Sequence, residues 1–110
     1  MDARRQALLE ARARVLKALA HPTRLFVVEE LAKGERCVCE LTEMIGADVS
    51  TVSKHLSLLR EAGIVRDDKR GNMVFYQLRF SCVLEFLRCA EKVMASSAEE
   101  RAAVMACCRR

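Results

Sequence analysis

Two cysteines, Cys37 and Cys39, stand one residue apart in the stretch GERCVCEL (34–41), just ahead of an apolar helical pattern. Thiolates are soft donors and select soft, thiophilic ions. The C-x-C gap is tighter than the C-x2-C of structural zinc sites, and no His or carboxylate cluster with zinc-like spacing accompanies it. On a regular helix, residues two apart point about 200° from each other. The two sulfurs can therefore share one ion only if the backbone there is extended or unwinds. Four more cysteines follow: Cys82, Cys89, Cys107 and Cys108. Cys82 and Cys89 are two helical turns apart, roughly 10 Å along an axis, too far to share an ion unaided. Their face also carries Phe86 and Val93, which reads as core or dimer interface. Cys107 and Cys108 adjoin Arg109 and Arg110, whose charge favours thiolate. These two are the metal-ligand candidates beside Cys37 and Cys39, either folding back onto that pair or forming a separate site. The competing reading is a frayed end with chance cysteines.

The elements that must position these thiols belong to a 110-residue chain, which by length is a single domain over residues 1–110. Hydrophobic residues at 52% and charged residues at 31% describe a globular chain rather than a disordered one. Aromatics are only 5% and there is no Trp, so the core must be built from Leu, Val, Ala and Met, which suits helix packing. A net charge of +4 is compatible with a polyanionic partner but does not demand one. No apolar run has bilayer length and the first twenty residues hold no continuous apolar segment. The expectation is a cytoplasmic protein with no membrane partner, where thiols bind metal or respond to redox change more often than they staple a scaffold. No nucleophile–base pair and no phosphate-binding glycine loop is present, so no enzyme is expected.

Hydrophobic spacing predicts a first helix over 4–19, ended by His21-Pro22, since proline disfavours the helical region for the residue before it. Pro22 opens a second helix that buries Leu25, Phe26, Val28 and Leu31 and stops at Gly34. A short third helix runs from Cys37 or Val38 to Ile45 and ends at Gly46. The fourth is capped by Asp48 and runs to Gly63. Two helices a few residues apart around a glycine are the helix-turn-helix signature. The period then changes: IVRDDKRGNMVFYQLRF alternates about Gly71-Asn72, a β-hairpin signal. Ser81 caps a fifth helix, and Ser97 with Glu100 has the capping-box spacing that starts a sixth. The fold expected is mainly α with a β-hairpin wing, a winged helix-turn-helix of five to six helices.

On a helical wheel, Val49, Val52, Leu56 and Leu59 of the fourth helix fall on a core side. Ser50, Thr51, Lys54 and Ser57 fall on the other, with Ser53 at the flank. Short hydroxyls and one cation suit close entry into a major groove, although a solvated helix face has the same composition. The order of elements decides between them. The hairpin tip carries Lys69, Arg70, Gly71 and Asn72, a natural phosphate or minor-groove contact beside a recognition helix. The DNA-contacting set is therefore Ser50, Thr51, Ser53, Lys54, Ser57, Lys69, Arg70 and Asn72, with double-stranded operator DNA as partner.

From about Val15 to Leu78 the chain resembles the ArsR/SmtB family of bacterial metal-sensing winged-helix repressors, of the arsenical-resistance type. The segments that carry the resemblance are HPTRL (21–25), CVCEL (37–41) and SKHLSLLREAGIV (53–65). It implies a homodimer formed through the first and fifth helices, bound to operator DNA when free of inducer and released by it. Paired winged helices would also suit a palindrome. Two departures stand out. Family members often carry Ser-Gln where this chain has Asp48-Val49, so operator sequence does not transfer. The arsenite-responsive branch has a third Cys three residues after CVC, where this chain has Thr42, so a third sulfur must come from Cys82, Cys89, Cys107 or Cys108. His55 matches a common family position and reads as structural or phosphate-contacting rather than as a metal ligand. No His follows it, which removes the family's zinc site on the fifth helix.

The resemblance implies As(III) or Sb(III) as the inducer. Sensing of Cd(II), Pb(II) or another soft ion by four thiolates remains open. So does a redox or persulfide signal through the same cysteines, bridging one near the third helix and one on the fifth. A small redox or metal-carrying protein using C-x-C would explain the thiols but not the helix-turn-helix and wing.

Overall fold

The structure is a computed structural model; it describes residues 1–108, without the side chains of Val104, Ala106, Cys107 and Cys108. The chain divides into two compact units, the first ending at Phe80 and the second beginning at Ser81.

In the first unit α1 spans Ala3–Leu19, with the Asp2 carboxylate accepting the Arg5 N–H at 2.8 Å. α2 spans Pro22–Ala32, and its N-cap is His21, whose Nδ1 accepts the Thr23 N–H at 3.1 Å. A two-residue strand β1 (Arg36–Cys37) leads directly into α3 (Val38–Ile45). Gly46 closes α3 in the left-handed region at φ +78° and turns the chain into α4 (Val49–Glu61). The hairpin follows as β2 (Val65–Arg70) and β3 (Met73–Leu78), with Gly71 at φ +61° in its two-residue turn. The sheet is antiparallel in the order β1-β3-β2. Its register sets Val65 opposite Leu78, Arg70 opposite Met73, Arg36 opposite Tyr76 and Cys37 opposite Phe75.

The core lies where α2, α3, α4 and the sheet converge: Val27, Val28 and Leu31, then Leu41, then Val52, Leu56 and Leu59, then Ile64, Val65 and Tyr76. The wheel placed Val52, Leu56 and Leu59 correctly. It misplaced Val49, which is 59% exposed. Val49 is the first residue of α4, one turn beyond the point where the helix reaches the core, so its angular position has nothing to pack against. On α2, Val27 is buried, whereas Leu25 and Phe26 are half-buried. β1 was not expected at all: two residues carry no alternation to read, and the pairing exists only because β3 presents an edge there.

The second unit is one continuous helix, α5 (Val83–Cys108), so the sixth helix proposed from Ser97 does not form separately. No Gly or Pro interrupts residues 83–108, and the alanines around Ser96 and Ser97 favour continuation. Capping spacing makes a helix start possible without making a break favourable. No helix among the described residues is long and apolar enough to cross a membrane.

Candidate nucleic-acid interface and thiol pair

Cys37 ends β1 and is the N-cap of α3, with φ −80° and ψ 159°. This is extended backbone, as sharing an ion with Cys39 demands. The Cys37 sulfur accepts the Glu40 N–H at 3.4 Å, and Glu40 Oε1 accepts the Cys37 N–H at 3.2 Å, a capping box built on a thiol. Cys39, the second residue of α3, is exposed, whereas Cys37 is buried. Their sulfurs converge to 2.6 Å. Burial pushes the Cys37 thiol above its ordinary pKa, and the Cys39 contact adds to this, while the Glu40 N–H opposes it. The hydrogen bonds from the Cys37 backbone and side chain hold the Glu40 carboxyl below its ordinary range, with Arg36 assisting at 3.3 Å.

Among the described residues, no three His, Cys, Asp or Glu side chains gather as a metal cluster. Cys82 and Cys89, read as core or interface residues, are free and exposed on the single chain. The side chains of Cys107 and Cys108 lie outside the described residues.

On α4, Ser50, Thr51 and Lys54 are exposed and Ser53 and Ser57 are half-buried. The Asp48 side chain makes no cap bond to the helix backbone. Instead the Thr51 and Ser50 hydroxyls hold its carboxyl below the usual range, with Ser50 Oγ donating at 2.7 Å. On the wing, Lys69, Arg70 and Asn72 are exposed. Neither Lys54 nor Lys69 makes an ion pair among the described residues. Arg70 differs: Nη1 and Nη2 donate to the two Glu35 oxygens at 2.6 and 2.9 Å, and Nε donates to Asp68 at 2.9 Å. Arg60 Nη1 pairs with Asp67 at 2.9 Å and so ties the end of α4 to β2.

His55 sits on the inner flank of α4, its ring centroid 4.4 Å from that of His21 and its Nδ1 3.2 Å from Arg24 Nη1. Burial, the neighbouring His21 and Arg24 lower its pKa. Arg24 also donates to the Ala18 carbonyl at 2.6 Å, so this cluster joins α1, α2 and α4.

Sequence reasoning missed Glu35. Its partners Arg70 and Gln77 lie 35 and 42 residues away, and no periodicity links them.

A helix-turn-helix with a hydroxyl-and-lysine outer face, followed by a basic antiparallel hairpin, defines a winged helix-turn-helix module. The pattern of the arsR family of bacterial regulatory proteins matches residues 21–67. HTH-type transcriptional regulator Rv0081 of Mycobacterium tuberculosis is 35% identical over 101 residues, covering 91% of this chain and 89% of that protein. Its crystal structure superposes with a TM-score of 0.75 at 34% identity, over 86% of this chain and 96% of that one. The homodimeric winged helix-turn-helix DNA-binding domain Mb0332 of Mycobacterium bovis gives 0.75 at 31% identity, over 91% and 93%. Arsenic resistance transcriptional regulator ArsR1 of Pseudomonas putida is 45% identical over 65 residues, 58% of this chain and 51% of that protein. The chain belongs to the arsR family and is a regulator rather than an enzyme.

Proposed function

We propose that the protein is a homodimeric transcriptional repressor of the cytoplasm that binds operator DNA without inducer and releases it when As(III) or Sb(III) bonds to cysteine sulfur. One observation carries this reading: the Cys37 and Cys39 sulfurs converge at the first turn of α3, the helix that precedes the DNA-reading α4. Capture of an ion there removes the Cys37 sulfur from the Glu40 N–H and unsettles the start of the helix-turn-helix. Cys107 and Cys108, from the same chain or its partner, are the candidates for further sulfurs. ArsR1, similar over 65 residues, is named for arsenic resistance. Exposed Leu8, Leu9, Val15 and Leu16 on α1 and, separately, Phe86, Val93 and Met94 on α5 are apolar residues offered to a second copy.

A second reading is favoured by the same convergence: two sulfurs this close, one buried and one exposed, also suit oxidation to a disulfide or a polysulfide bridge. Cd(II) or Pb(II) with four thiolates is the other soft-ion alternative.

The test is fluorescence anisotropy of reduced protein on the DNA upstream of its own gene, challenged in parallel with arsenite, Cd(II) and a polysulfide. Release by arsenite supports the proposal. Release only by Cd(II) or only by polysulfide overturns its arsenic part.

A further inference from the structure

The wing is basic in sequence, yet its tip is not free. Arg70 has five N–H donors. Both terminal nitrogens engage Glu35 in a two-pronged pair, Nε engages Asp68, and the guanidinium lies 4.5 Å from the Phe75 ring centroid. Glu35 is held in turn by the Gln77 amide, which donates at 2.8 Å from β3. Gln77 also accepts Arg66 Nε at 2.8 Å. Glu35 immediately precedes β1, whose two residues pair with Tyr76 and Phe75 of the wing. Cys37 thus ends this short strand, and the acid that grips the wing lies immediately before its start.

We propose that Glu35 is a positioning residue that holds Arg70 away from DNA phosphates and couples the wing to the strand bearing Cys37. Two-pronged arginine–carboxylate pairs are among the strong, directional hydrogen-bonded contacts. Three of the five N–H donors are so engaged. The two that remain are terminal, but both terminal nitrogens are held toward Glu35 and the charge faces two carboxylates, which weakens its pull on a phosphate oxygen. Asp68 alone would occupy only Nε and leave both terminal nitrogens available. The resting tip therefore meets DNA with Lys69, which makes no ion pair among the described residues. Loss of the Glu35 charge adds Arg70 as a second, sequence-independent contact. The cost falls on specificity, because phosphate contacts strengthen binding to all sequences alike.

The experiment measures affinity of the full-length protein for a generic duplex of about 30 base pairs across a salt series, where the slope counts phosphate contacts. Glu35→Gln is expected to bind more tightly at low salt. Its log–log slope should steepen by about 0.9 for each wing engaged. Glu35→Asp, which retains the carboxylate, should move back toward wild type. The clamp takes Arg70 out of the DNA-contacting set that the sequence suggested, so Arg70→Gln should leave the wild-type slope unchanged, and Glu35→Gln placed in that background should add nothing. A flatter slope in Arg70→Gln would show that Arg70 already contacts phosphate and would overturn the proposal. So would a Glu35→Gln slope equal to or flatter than wild type. If Glu35→Gln fails to fold by circular dichroism, Arg70→Gln alone still decides. The inference rests on DNA binding: a wild type that binds no duplex at low salt defeats both, whereas normal wild-type binding with unchanged variants defeats only the clamp.

Discussion

Substitution of Cys37 separates its two roles, helix cap and sulfur donor. Cys37→Ser keeps a side-chain acceptor at the N-cap, where serine is among the preferred residues. Cys37→Ala removes the acceptor of the Glu40 N–H, a loss of about 1 kcal/mol. It also deletes one buried heavy atom, comparable with the roughly 0.8 kcal/mol of a buried methylene. The alanine variant should therefore be about 2 kcal/mol less stable, which lowers Tm by roughly 8 °C or more in a domain of this size. The serine variant should stay within about 1 kcal/mol of wild type, since its cap survives and only the burial of one hydroxyl is added. Thermal melts at one fixed protein concentration make the comparison, because a dimer's Tm depends on concentration. The anisotropy titration supplies the second axis: both variants should bind DNA, and neither should release it with inducer. A serine variant less stable than the alanine variant would refute the capping argument. Full inducer response in the serine variant would refute the sensor assignment.

Lys54→Ala should weaken binding to all sequences and flatten the salt slope by about 0.9 per protomer engaged; unchanged affinity at moderate salt would place Lys54 off the interface. The pH dependence of induction distinguishes the ions. Burial raises the Cys37 pKa and so favours its protonated thiol. A divalent ion must expel that proton, so apparent Cd(II) affinity should climb as pH rises. Arsenous acid bonds to a thiol while one As–OH group leaves as water with the thiol proton, so no net proton is released and affinity measured by tryptophan-free mass titration should be nearly flat below its own ionisation. For His55 the folded pKa is depressed below 6.5. Its neutral form is the native one, so stability is retained above 6.5 and declines as pH falls below it. Urea melts at pH 7.5 and 5.5 should show that loss, reduced in His55→Asn; equal losses would remove His55 as the cause. Leu56→Ala, at a fully buried position, should cost about 2–5 kcal/mol, read in the same urea melts.

The spacing of apolar residues, four glycines and one proline determined most of the local structure. Helix α2 starts at Pro22 because that ring fits a first helical turn, and α3 ends at Gly46 because the left-handed cap needs no Cβ. The Gly71-Asn72 pair centred the hairpin for the same local reason. For the thiols, helical geometry gave only a condition, that Cys37 and Cys39 converge if the backbone there is extended or unwinds; the fold decided between the two by making Cys37 an extended N-cap. Tertiary structure decided what depends on distant partners. β1 exists only as an edge partner for β3. Val49 is open because α4 meets the core one turn later. Arg70 is a basic wing residue by sequence, but Glu35, brought alongside it by strand pairing across 35 residues, occupies its charge. A one-dimensional pattern reports which residues share a face; only the folded chain determines which opposite charges come within bonding distance.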